Sequence, residues 1–132
     1  MTQHLFVYGT LTIELAPSEI SGAVKKLKYV DDGFIHGRLY NLGEYPAAIL
    51  SNSDQKVFGK IYELPDDPAV LQQLDQYEEF FPHNKSKSLF VRKQVYVNRS
   101  NKRRVLSWIY LYNKDLKSST AIPSGTFAKI AA

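Results

Sequence analysis

Apolar residues recur along this chain in two rhythms, and the switch between them sets out the expected elements. Leu5, Phe6, Val7 and Tyr8 form a short run of strand-forming side chains stopped by Gly9, the pattern of a buried strand that ends in a tight turn. Between Pro17 and Lys28, Ile20, Val24 and Leu27 fall at helical spacing, which predicts a modest helix with Pro17 in its first turn. From Tyr29 the period becomes two: Phe34, His36, Arg38 and Tyr40 alternate with Ile35, Gly37 and Leu39, as on the two faces of a strand. Asn41 to Pro46 reads as a loop, Ala47 to Leu50 as a strand, Ser51 to Gln55 as a turn and Val57 to Glu63 as a further strand. Asp67 followed by Pro68 is a helix start, an acceptor before a residue that needs no donor, and the helix is expected to run to about Phe80. Leu89 to Asn98 and Val105 to Tyr112 read as paired strands around a basic turn, and Pro123, Ser124 and Gly125 mark turns near the end.

Two helices among many short strands with glycines predict an α+β fold, a compact mixed β-barrel of about six strands flanked by two helices. At 132 residues the chain is expected to form one domain, residues 1–132, because that length can bury a single core. There is no cysteine, which removes disulfides, thiol nucleophiles and thiolate metal sites together. His4, His36 and His83 lack the spacing of a metal site, so no metal is expected. No apolar run reaches the ~18 residues that span a bilayer, and Met1 to Leu15 has no leader-like pattern, so the expectation is a cytoplasmic protein without a membrane partner.

Charge is unevenly divided. Residues 1–83 carry six Lys/Arg against twelve Asp/Glu, and residues 84–132 carry eleven against one, giving −6 and +10. Lys102, Arg103 and Arg104 cluster beside Arg99, Ser100 and Asn101 in the expected turn, where such a cluster is solvated, and no nucleic-acid reading motif accompanies it. No nucleic-acid partner is therefore expected.

Among the carboxylates, Glu78 is set apart by helix geometry. With 100° per residue and Leu71 at zero, the apolar stripe of Val70, Leu74, Tyr77 and Phe81 lies between about −60° and −120°, and Glu78 falls at about −20°, on its edge. Asp75, near about +40°, and Glu79, near about +80°, are expected to turn further towards solvent. A carboxylate pointed inward is desolvated, and its pKa rises towards the range of a general base at neutral pH. By helix geometry alone Glu78 is that base, a carboxylate paired with an arginine such as Arg92, or one that simply snorkels to the rim. A strand that breaks at Gly9 offers successive backbone N–H groups able to hold a carboxylate or an oxyanion, or is an ordinary β-turn. No Gly-rich phosphate loop and no serine-nucleophile pattern is present.

Taken in order, Val7-Tyr8-Gly9-Thr10-Leu11, Gly37-Arg38-Leu39-Tyr40 with Gly43-Glu44-Tyr45-Pro46-Ala47, Val57-Phe58-Gly59-Lys60-Ile61-Tyr62 and Leu74-Asp75-Gln76-Tyr77-Glu78 resemble the gamma-glutamyl cyclotransferase-like family, in particular its short AIG2-like and gamma-glutamylamine cyclotransferase branch. The resemblance continues through Phe90-Val91-Arg92, Trp108-Ile109-Tyr110 and Ser124-Gly125. It implies a cofactor-independent enzyme that cyclises a small gamma-glutamyl substrate to 5-oxoproline and releases an amine. It also implies Glu78 as the general acid–base, with Tyr8, Gly9, Thr10, Leu11 and Tyr45 holding the substrate. A monomer or weak homodimer is expected. The rival expectation is a non-catalytic small-ligand-binding module that keeps the pocket. Two departures stand out: Phe90 where many relatives have tyrosine, and Thr12, Ile13 and Glu14 where many carry a basic residue and a glycine. The stretch from Phe81 to Leu89 is expected to be either a lid over Glu78 or a surface loop.

Overall fold

A computed structural model of the chain describes residues 2–8, 21–42, 46–52, 54–114, 116, 120–122 and 125. Its elements are β1 (His4–Val7), α1 (Ser21–Val24), β2 (Lys28–Asn41), β3 (Pro46–Leu50), β4 (Lys56–Glu63), α2 (Pro68–Tyr77), β5 (Phe90–Arg99), β6 (Arg104–Tyr112) and β7 (Thr120–Ala121). The strands lie in the order β3-β2-β4-β1-β6-β5, and a further pairing of β2 with β5 closes five of them into a barrel. The remaining long strand, β3, extends the sheet from β2, and the two-residue β7 pairs with β2 as well. This is the α+β barrel expected from the sequence, with one short strand in the final segment that its turn residues did not announce.

The alternation seen in the sequence is the alternation of the barrel wall. Ile35, Leu39, Val57, Ile61, Val97, Ile109 and Leu111 meet Phe6 and Ala48 in the barrel interior. Outward-facing Leu5, Val7, Tyr62, Phe90 and Tyr110 meet Val24, Leu27, Val70, Leu74 and Phe80 in a second core between the wall and the helices. Each wall strand therefore buries both faces wherever a helix covers it, which is why Leu5, Phe6 and Val7 are a continuous apolar run.

Two glycines let strands approach where a side chain would block them. A Cβ on Gly33 would lie 2.8 Å from the Asn98 carbonyl oxygen, at the seam where β2 closes on β5. One on Gly59 would collide with the Val7 carbonyl, so Gly59 is what allows the end of β1 to lie against β4 just before Tyr8. At the same seam Arg99 Nε donates to the Asp31 carboxylate at 3.0 Å, so one charge of the basic turn is spent holding the barrel closed. Among the described residues no helix is long and apolar enough to cross a membrane.

Candidate active site

The site is built on the end of α2. Asp67 starts the helix as foreseen, its carboxylate accepting from the Ala69 N–H at 3.0 Å, with Pro68 at the first helical position. Val70 and Leu74 are buried and fix which face the helix turns to the barrel. The helix ends at Tyr77 rather than near Phe80, and Glu78 is its C-cap. The stop is a reciprocal pair of hydrogen bonds: Glu79 N–H donates to Gln76 C=O at 3.2 Å and Phe80 N–H to Asp75 C=O at 2.9 Å. That pairing requires a left-handed residue between them, and Glu79 supplies it at φ 54° although it is not glycine. Phe80, one residue beyond, is buried in the same cluster as Leu74 and locks the turn in place.

Asp75 corrects the helical-wheel expectation. It is buried, not turned to solvent. Arg92 of β5 donates to it with both ends of its guanidinium, Nε to Oδ1 at 2.8 Å and Nη2 to Oδ2 at 3.1 Å. Tyr110 of β6 donates its hydroxyl to the same Oδ1 at 2.6 Å. The guanidinium is itself enclosed by aromatic rings, its carbon 4.3 Å from the centre of Trp108 and 5.5 Å from that of Phe80. Arg92 thus pairs with Asp75, and the alternative that it neutralises Glu78 is not what the chain adopts.

Among the described residues Glu78 has no such partner. The residue is half-buried, and among the described residues its carboxylate has no hydrogen bond and no ion pair. Loss of surrounding water raises its pKa from 4.5 to about 8. Tyr8 and Tyr110 lie close enough for its charge to act on both: each phenol is held above its ordinary pKa first by burial, with the negative charge of Glu78 contributing. Tyr8 follows directly on β1 and donates its hydroxyl to the Tyr110 carbonyl oxygen. The Ala48 backbone N–H, on β3, favours the Tyr8 oxygen from another side. The Tyr8 hydroxyl is therefore engaged by the fold, and it anchors the chain immediately ahead of Gly9. Glu78, Tyr8, Tyr110 and Ala48 come together from the end of α2, the end of β1, β6 and β3.

Of the other expected site residues, Gly9, Thr10, Leu11 and Tyr45 lie outside the described residues, as do Thr12, Ile13 and Glu14. Phe90 is a core residue, buried in the layer under the helices and packed edge-to-face on Tyr112 at 5.5 Å. The segment from Phe81 to Leu89 is tied down at several points. Buried Ser88 accepts from the Phe81 N–H at 2.8 Å, and Leu89 N–H donates to Glu79 C=O at 3.0 Å. Asn113 reaches in to the carbonyls of Lys85 and Ser88 at 2.8 and 3.0 Å. These bonds make it a fixed loop. Among the described residues no three His, Cys, Asp or Glu side chains are grouped to hold a metal. A cleft of about 770 Å³ lies along the first half of α2, lined by Gln3, Glu63, Asp66, Leu71, Asp75 and Arg92 among others, and Glu78 is not in its lining.

The family described as gamma-glutamyl cyclotransferase, AIG2-like, matches residues 5–129. Gamma-L-glutamyl-butirosin B gamma-glutamyl cyclotransferase of Niallia circulans is 34% identical over 117 residues, which are 85% of this chain and 68% of that protein. YkqA of Bacillus subtilis shares the fold at a TM-score of 0.70 and 22% identity over 96% of the chain, which spans only 40% of YkqA. An AIG2-like protein of Mus musculus superposes with a TM-score of 0.66 at 19% identity, covering 86% of this chain and 80% of that one.

Proposed function

This chain belongs to the gamma-glutamyl cyclotransferase, AIG2-like family, and from that premise we propose that it cyclises a gamma-glutamyl amine or gamma-glutamyl amino acid, releasing 5-oxoproline and a free amine, with Glu78 as general acid–base. The observation that carries the reading is the desolvated Glu78 carboxylate, which has no hydrogen-bond or ion-pair partner among the described residues and lies close enough to Tyr8 for its charge to act there.

The substrate brings its own nucleophile. Its α-amine closes a five-membered ring on the gamma-carbonyl carbon, forming a C–N bond, and the bond to the leaving nitrogen then breaks. On becoming the ring N–H the α-ammonium nitrogen loses two protons, and the leaving nitrogen gains two as it departs as an ammonium. Glu78 takes each from the attacking nitrogen and returns it to the leaving one, so no proton is gained or lost overall. A carboxyl at about 8 is a far closer match to an α-ammonium group than one near 4.5, so the transfer costs less in either direction. The Tyr8 side chain fixes where the turn begins, and N–H groups of Gly9, Thr10 and Leu11 hold the α-carboxylate or the developing oxyanion. Tyr45 borders the glutamyl group. Holding the flexible chain in its cyclising shape supplies a large part of the rate gain, since oriented intramolecular reactions reach effective molarities of about 10⁵ M or more.

The relative from Niallia circulans acts, by its name, on gamma-L-glutamyl-butirosin B. Gamma-L-glutamyl-butirosin B and other gamma-glutamyl amines therefore belong in the test beside gamma-glutamyl amino acids. The protein at high concentration is incubated with each, and 5-oxoproline is measured. Release from at least one member, and none from the corresponding α-glutamyl amide, supports the reading. No product from any member favours a small-ligand-binding module that keeps the pocket.

A further inference from the structure

The residues from Asp75 to Phe80 form a closed loop with Glu78 inside it, and both ends of that loop are held by one arginine. The Phe80 N–H to Asp75 C=O hydrogen bond, at 2.9 Å, closes the loop through the backbone. Arg92 grips one end through the two bonds to the Asp75 carboxylate and packs against the other through the Phe80 ring. Tyr110 adds a third point, its hydroxyl on Asp75 while its own carbonyl receives the Tyr8 hydroxyl. The chain of contacts Arg92–Asp75–Tyr110–Tyr8 therefore ties the helix end that carries Glu78 to the end of β1.

We propose that Asp75 is a positioning residue which, held by Arg92 and Tyr110, fixes the Glu78 carboxyl against the Tyr8 end of β1. The inference rests on the assignment of Glu78 as the acid–base and deepens it. Asp75 never meets the substrate in this arrangement: its two oxygens are filled by Arg92 and Tyr110, and it acts through the last turn of α2. A displacement of the reacting group by ~1 Å is enough to cost about 10²-fold in rate, so a clamp on both sides of Glu78 has a direct effect on turnover. It also keeps water out of the space around the carboxyl, because the same contacts seat Phe80 and Tyr110 in the core.

Tyr110→Phe removes one hydroxyl and keeps the ring, the backbone carbonyl and the Arg92–Asp75 pair. Arg92→Lys keeps the charge and loses the two-pronged grip. Val97→Ala, a truncation in the barrel interior, serves as a control for lost stability alone. The titration of Glu78 is followed by carbon NMR of its labelled carboxyl, which does not depend on turnover, and kcat and KM are measured alongside. The charge of Glu78 acts on Tyr8, which follows β1, and on Tyr110 of β6, and Tyr110 is hydrogen-bonded to Asp75, which Arg92 of β5 holds in turn. None of them is removed as a charge in these variants. The expected result is a midpoint that falls from about 8 by roughly one pH unit or more in Tyr110→Phe and in Arg92→Lys as water enters, and stays in place in Val97→Ala. With it kcat falls by about tenfold or more while KM changes by less than about twofold. An unmoved Glu78 midpoint and unchanged kcat in both clamp variants would overturn the proposal. Full turnover by Glu78→Gln would instead remove the acid–base assignment, and the NMR midpoints would still decide whether the clamp sets the carboxyl's surroundings.

Discussion

Glu78 is costly to the fold, and the cost has a pH signature that a single substitution isolates. In the unfolded chain its carboxyl ionises near 4.5, and in the folded protein near 8. Between those values the folded state holds a proton that the unfolded state has lost, so stability falls as pH rises across that window. At 1.36 kcal/mol per pH unit the full displacement amounts to ~5 kcal/mol, and residual hydration of a half-buried side chain reduces this to about 2–4 kcal/mol. Glu78→Gln keeps the shape and removes the titration. Below about pH 4.5 both proteins carry a neutral group there and should be equally stable, whereas above about pH 8 the variant should be the more stable by about 2–4 kcal/mol. Urea denaturation of both proteins across this range gives the difference directly, since every other titrating group is common to the pair. A difference that does not grow with pH, or a variant less stable than the parent at about pH 9, would refute the reasoning.

Other substitutions test neighbouring parts of the structure. Asp75→Ala leaves the Arg92 guanidinium buried without its partner and should cost about 3–5 kcal/mol by urea denaturation. Glu79→Gly relieves a side chain held at φ 54° and should raise stability by about 1 kcal/mol, seen as a higher melting temperature. Gly59→Ala pushes against the Val7 carbonyl and should destabilise by about 1–3 kcal/mol, with amide NMR shifts concentrated at the end of β1. Leu74→Ala opens a cavity under α2 and should lose about 2–5 kcal/mol in the same denaturation assay.

Much of this was legible in the sequence because the relevant signals are local. The period-two alternation of Ile35, Gly37 and Leu39 gave the inner face of β2, and all three are buried. Asp67 and Pro68 gave the start of α2, because capping is decided within one turn. The end of α2 was misjudged because its stop is made by Glu79 in a conformation usually taken by glycine, and nothing in the side chain announces that. Asp75 was misplaced for a different reason. A helical wheel ranks positions by apolar neighbours, whereas Asp75 is covered by a guanidinium that arrives from residue 92 and a phenol from residue 110, contacts set by the barrel. Glu78 stands out in the sequence because it lies on the edge of the apolar stripe, where a carboxylate is exceptional, and in the structure it is half-buried. Tyr8 was read as part of a turn motif, and its anchoring by Tyr110 and Ala48 needed the closed barrel to bring β6 and β3 beside β1.

The most direct measurement is the rate of 5-oxoproline release from a turned-over gamma-glutamyl amine as a function of pH, for the parent protein and for Glu78→Gln. The parent should show kcat governed by an ionisation at about 8, and Glu78→Gln, folded by the same far-ultraviolet spectrum, should release no more 5-oxoproline than the uncatalysed reaction. Turnover by Glu78→Gln at the parental rate, with the same pH dependence, would contradict the assignment of the chemistry to this carboxyl.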